Sequence, residues 1–115
     1  MERSFDFRIL LDIYRELLAN SQRQALDMRY NADLSLAEIA EEMGGITRQS
    51  VVYSIKKGEQ RLTELEEKLG FAKRLRALNG ELEQARALLS GLRSDYSDER
   101  LDRLGGILAE VQQGL

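Results

Sequence analysis

Val51, Ile55, Gly58, Leu62, Leu65 and Leu69 step by four, three, four, three and four, and no proline interrupts that pattern or any other in the 115 residues. Apolar or small residues at this period form one face of a long helix, in the manner of a coiled-coil seam. Proline breaks helices by removing a donor and clashing with the preceding turn, so its absence leaves glycine as the only strong punctuation. The fold class predicted is all-α. Gly58 lies on the seam itself, where it costs about 1 kcal/mol of helix propensity and lets a second helix approach closely. Gly70 followed by Phe71 predicts the end of this helix, with Lys68 suited to its negative pole.

The residues just before the seam read as a helix-turn-helix, the stretch LSLAEIAEEMGGITRQSVVYSIKK from Leu34 to Lys57. Ser35 and Glu38 have the spacing of a capping box, in which each side chain satisfies the other's backbone N–H. Leu36, Ile39, Ala40 and Met43 repeat at helical spacing, with the small Ala40 where a second helix crosses. Gly44 and Gly45 can enter left-handed backbone and turn the chain, and Ile46 is expected to plug the core between the two helices. Thr47 is the expected N-cap of the second helix, which Val51 and Ile55 anchor inward. Arg48, Gln49, Val52, Tyr53 and Lys56 are left facing out. Such a motif presents one helix to nucleic acid.

Around this centre, periodicity predicts a first helix from about Phe5 to Ala19, burying Phe7, Leu10, Leu11, Tyr14, Leu17 and Leu18. A second, roughly Gln22 to Tyr30, buries Ala25, Leu26 and Tyr30, and the polar Asn31-Ala32-Asp33 leads into the motif. Beyond Gly70, Leu75, Leu78, Leu82, Ala85, Leu89 and Leu92 form another stripe, and Leu101, Leu104, Leu108 and Val111 a last one. Asn79-Gly80 is a candidate kink, and Ser94 to Ser97 the expected break, with Ser97 as cap. Six helices result. They are expected as a helix-turn-helix core over residues 1–70 and a helical extension over 71–115 that serves dimerisation.

Composition narrows the chemistry. With neither Cys nor His, the chain lacks thiolate chemistry, nucleophilic triads and the usual transition-metal ligands. Glu41-Glu42 and Glu66-Glu67 are read as surface charge, because adjacent helical residues do not face each other. No cofactor and no enzymatic activity are expected. No run is apolar enough to span a bilayer, and Met1-Glu2-Arg3 does not begin a signal peptide, so a cytoplasmic location is expected. The formal net charge of -3 argues against a polybasic binder, yet Arg48, Lys56, Lys57 and Arg61 stand against Glu59 alone between Thr47 and Arg61. Arg48 and Gln49 are side chains able to make bidentate contacts with guanine and adenine edges. Lys56, Lys57 and Arg61 are candidates for phosphate contact. Val52 can meet a thymine methyl and Tyr53 can stack on an unpaired base, although packing of both against another helix is the expectation favoured.

The run from Leu10 to Leu69 resembles the YlxM family of small bacterial helix-turn-helix proteins, whose motif region is similar to the fourth region of sigma factors. The resemblance rests on Asp12-x-Tyr14 with Leu17-Leu18, on Gln22-Arg23, on the block Asp33-Leu34-Ser35-Leu36-x-Glu38-Ile39-Ala40-Glu41, and on Thr47-Arg48-Gln49 with Val51, Ile55-Lys56-Lys57 and Glu59. It covers roughly Phe5 to Leu78 and implies a sigma-region-four-like helix-turn-helix bundle with Arg48, Gln49, Lys56 and Lys57 on the recognition helix. The family is encoded beside genes of the signal recognition particle, which implies a DNA-binding regulatory protein with a part in protein targeting. Val52-Tyr53 stands where members often carry a polar pair, and Ala19 where they carry a hydroxyl cap.

The reading of the chain is thus a nucleic-acid-binding homodimer, with DNA placed ahead of RNA and components of the signal recognition particle as further partners. An RNA-binding or protein-binding accessory factor of that particle is the first alternative. A helical scaffold that binds no nucleic acid is the second.

Overall fold

A computed structural model describes residues 6–115 as an all-α chain of α1 (Phe7–Tyr14), α2 (Asn20–Leu26), α3 (Leu36–Glu42), α4 (Arg48–Leu69), α5 (Phe71–Asp95) and α6 (Glu99–Gln113). A 3₁₀ turn, Arg15–Leu17, follows α1, and a π-helical turn, Asp27–Asn31, prolongs α2. The expected helix start at Phe5 and the Met1-Glu2-Arg3 segment lie outside the described residues. The chain divides into two compact units, Met1–Ala72 and Lys73–Leu115.

In the first unit α4 is the central element, and α1, α2 and α3 all pack on it. Leu10, Leu11, Tyr14 and Leu18 meet Ala25 and Leu26, Ile39 and Ala40, and Val51, Ile55, Leu62 and Leu65 in one core. Gly58 decides how closely α2 can lie. A Cβ there would stand 2.6 Å from Leu26 Cδ1 and 3.3 Å from Gln22 Cβ. Leu26 is itself fully buried, so it has no free space to retreat into. Two positions differ from expectation: Leu17, at the end of the 3₁₀ turn, and Leu69, at the end of α4, are exposed.

Where α4 gives way to α5, Gly70 takes the left-handed conformation at φ 66° and donates to Glu66 O. The start of α5 is then held by side chains rather than by a local cap. Tyr14 Oη donates to Glu66 Oε1 at 2.8 Å and accepts from Phe71 N, while Glu66 Oε1 also accepts from Ala72 N at 3.1 Å. Burial, reinforced by the Glu66 bond, pushes the Tyr14 phenol above its ordinary value. Glu66 is therefore buried and structural, a correction to its reading as surface charge. Glu41, Glu42 and Glu67 do lie at the surface.

The second unit is the antiparallel pair formed by α5 and α6. Arg93 pairs with Asp102 at 2.8 Å, and Gln112 accepts from Arg86 while donating to Asn79 and Glu83. Helix α5 runs unbroken through Asn79-Gly80, since strong helix formers on both sides outweigh one glycine. The cap of α6 is Asp98 and not Ser97, because Asp98 Oδ1 accepts from Arg100 N and its carboxylate also pairs with the Arg100 guanidinium.

Alanine at the two mid-helix glycines should separate packing from propensity. Gly80 faces open space, so Gly80→Ala should leave stability unchanged or raise it by up to about 1 kcal/mol. Gly58→Ala should lower it by about 1–3 kcal/mol through overpacking against Leu26, despite the same gain in propensity. Urea unfolding of the two variants compares them directly, and a stabilised Gly58→Ala would contradict the tight α2–α4 approach.

Candidate nucleic-acid interface

The interface is built from two caps, Ser35 and Thr47, that the sequence places twelve residues apart. Ser35 Oγ accepts from Glu38 N at 3.1 Å and Glu38 Oε1 accepts from Ser35 N at 2.8 Å, closing the capping box of α3. These bonds to Ser35 hold the Glu38 carboxyl below its usual value. Gly44 and Gly45 follow at φ 94° and 80°, and Gly45 N and Ile46 N both donate to Ala40 O. The chain thereby reverses within a single elbow. Thr47 Oγ1 accepts from Ser50 N at 3.0 Å and starts α4. Ile46, expected as a plug, sits instead at the surface, with its backbone N–H held on Ala40 O and its side chain in a shallow cleft beside α3.

From that cap, Val51 is sealed in the core and Ile55 nearly so. At about 100° per residue their burial turns the opposite side of the helix outward. Arg48, Gln49, Tyr53, Lys56, Lys57 and Arg61 are all exposed, whereas Val52 is half-buried on the flank. Tyr53 does not pack against another helix, contrary to the favoured expectation: it is 64% exposed, with the Lys57 ammonium 5.9 Å from its ring centroid. Gln49, Tyr53, Lys56, Lys57 and Gln60 share the outward sector. Gln60 was not among the residues singled out from sequence, although its place four residues after Lys56 was the available signal.

Two of the seven residues are turned elsewhere. Arg48 lines a shallow cleft beside α3 with Ala37, Glu38, Ala40, Glu41, Gly45 and Ile46. Arg61 lies past the outward sector and approaches Glu64 at 3.9 Å, an exposed pair that contributes little to stability. The cationic groups of the outward sector are therefore Lys56 and Lys57, with Arg48 beside them at the start of the helix against α3. Over the nine steps from Arg48 to Lys57 a helix rises about 14 Å, comparable with the roughly 12 Å width of a DNA major groove. Among the described residues no group of three or more acidic, Cys or His side chains is placed to hold a metal ion.

A second set of bonds steadies this helix from behind. Tyr30 Oη donates to Glu59 on α4, and Tyr30 O accepts from Arg8 Nε at 2.8 Å. Burial first, and then the Glu59 bond, push the Tyr30 phenol up to about 12. In the same π-helical turn Asp27 takes both ends of the Arg15 guanidinium, at 2.6 and 3.0 Å, which holds its carboxyl below the ordinary range. Asp33 then adopts φ 59° and Leu34 N donates to Met28 O, delivering the chain to Ser35. Partners 29 residues apart, such as Tyr30 and Glu59, leave no spacing signal in a sequence.

Over residues 1–98 the chain matches the family described as "UPF0122: Putative helix-turn-helix protein, YlxM / p13 like". A UPF0122 protein of Desulforamulus reducens is 36% identical over 111 residues, which is 96% of this chain and 94% of the relative. One from Clostridium kluyveri is 39% identical over 104 residues, 90% and 93% of the two chains. A third, from Acetivibrio thermocellus, is 44% identical over 71 residues, covering 62% and 60%.

The phenol that braces α4 should be visible in alkali. Its value in the folded chain, about 12, exceeds the ordinary phenol value of about 10, so the neutral form is favoured by folding. The stabilisation is complete below pH 10 and is lost as pH rises through 12. Ultraviolet titration of tyrosinate should show late ionisation from the two phenols that burial pushes up, Tyr14 and Tyr30, of which Tyr30→Phe removes the step near 12. Retention of that step in Tyr30→Phe would contradict the assignment.

Proposed function

The chain belongs to the UPF0122 family of helix-turn-helix proteins, and we propose on that footing that it binds duplex DNA through α4, as a regulatory protein rather than an enzyme. The observation that carries this reading is the division of α4 itself. Val51 and Ile55 lock one side of the helix into the core, while Gln49, Tyr53, Lys56 and Lys57 stand exposed on the opposite side and Arg48 lies exposed at the helix start beside α3. In this reading Arg48 and Gln49 reach base edges, and Lys56 and Lys57 neutralise phosphates. Arg61 adds a peripheral charge shared with Glu64. Val52 and Tyr53 lie between these groups and offer apolar contact to a thymine methyl or a sugar. The protein then acts in the cytoplasm, and the link to the signal recognition particle that the YlxM resemblance implies gives its regulatory role a setting in protein targeting. No helix among the described residues is long and apolar enough to cross a membrane.

One observation favours a second reading, in which the ligand is RNA or a protein component of that particle. The Tyr53 ring is held out in solvent beside Lys57, an arrangement suited to stacking on an unpaired base.

Salt dependence of binding tests the assignment. Each phosphate contact with B-DNA contributes about 0.9 to the slope of log affinity against log salt. Lys56→Ala/Lys57→Ala should therefore flatten that slope by about 1.8 in a fluorescence-anisotropy titration with duplex DNA. An unchanged slope would contradict the phosphate roles. Retention of structured RNA with no affinity for any duplex would favour the second reading.

A further inference from the structure

Among the described residues of Lys73–Leu115, Leu89 is the one hydrophobic side chain that is buried. Leu78, Leu88 and Leu92 on α5 and Leu104, Ile107 and Val111 on α6 are 41–73% exposed. They do not scatter around the pair. The Arg93–Asp102 and Arg86–Gln112 contacts mark one flank of the α5–α6 pair as polar. At about 100° per residue, Leu78, Leu88 and Leu92 lie on the opposite side of the line through Leu82 and Leu89 that faces α6. Leu104, Ile107 and Val111 are displaced in the same angular sense from the line through Leu101, Gly105 and Leu108 that faces α5. Because the two helices run antiparallel, equal displacements bring both rows onto one face.

We propose that this face is where a second copy of the chain docks, two α5–α6 pairs closing into a four-helix bundle with their leucine rows inside. Its width is that of two helices, so an identical face covers it completely, and the stripes that a lone pair leaves in water become a core. At their observed exposures the six side chains hold out on the order of 500 Å² of apolar surface per copy, about 1,000 Å² for two, and a polar rim brings this to the size of stable interfaces. Charge points to the same occupant. Lys73 to Arg103 contribute seven basic side chains and Glu81 to Glu110 seven acidic ones, so this unit is formally neutral and the whole net charge of -3 falls on the other. A neutral apolar face carries no field to draw a polyanion or an anionic membrane and no repulsion to keep copies apart.

Sedimentation velocity of the full chain at micromolar concentration tests this independently of any nucleic acid. The unmodified chain should sediment as two copies. Leu88→Lys/Leu104→Lys and Leu88→Glu/Leu104→Glu should each sediment as single copies, and mixing the two should restore the two-copy species. Leu17→Glu, an exposed apolar position in the other unit, should leave the dimer intact. An unmodified chain that is a single copy would overturn the proposal, and so would variants that remain dimeric or a mixture that does not associate.

Discussion

The close approach of α2 to α4 over Gly58 is the constraint on which the rest of the first unit depends. With no side chain at that point, Leu26 fills the space a Cβ would need, and the two helix axes are held at a separation that any larger residue would increase. That separation sets how deeply α4 is seated. Ile55 and Val51, about one and two turns nearer the N-terminus, are then carried into the core beside Ile39, and the elbow at Gly44-Gly45 brings α3 across the same helix. The exposed cationic face is thus the far side of a packing decision taken within the core.

The two ends of α4 are governed by different chemistry. At its start a threonine hydroxyl satisfies a backbone donor and leaves Arg48 and Gln49 free to project. At its far end a carboxylate and a phenol from sequence-distant elements are taken out of water to hold the next helix in place. Buried polar groups of this sort stabilise only when every partner is present, so Tyr14 and Glu66 act together on Phe71 and Ala72 within the first unit. The Tyr30–Glu59 bond acts midway between the two, behind the outward sector.

Much of this was legible in the order of the residues because it is local. The capping box of Ser35 and Glu38, the Thr47 cap, the left-handed Gly70 and the buried line from Val51 to Leu65 all follow from spacings of three and four. What escaped reading depends on partners far along the chain. Glu66 looked like one of two surface acids because its reason for burial, Tyr14, lies 52 residues earlier. The start of α2 is marked only by Gln22 Oε1 accepting from Ala19 N, since alanine offers no side-chain acceptor of its own. Ile46 and Tyr53 have the composition of core residues, and only the course of the elbow and the phase of α4 put them in solvent. Of the seven candidate contact residues, phase separated Arg48 and Arg61 from the outward sector, a distinction of angle that a list of basic residues does not contain.

The elbow between α3 and α4 has a property that follows from its open surroundings. A Cβ at Gly44 or Gly45 would touch nothing within 4 Å, yet both residues sit at positive φ. Restriction there comes from handedness and not from volume. A mirror-image D-residue would suit either position better than any ordinary L side chain, and among the latter asparagine is the best tolerated. The joint that aims the cationic helix is therefore governed by handedness: an L side chain would strain it although open solvent surrounds both positions, so only residues that enter the left-handed region cheaply keep that helix pointed where it is.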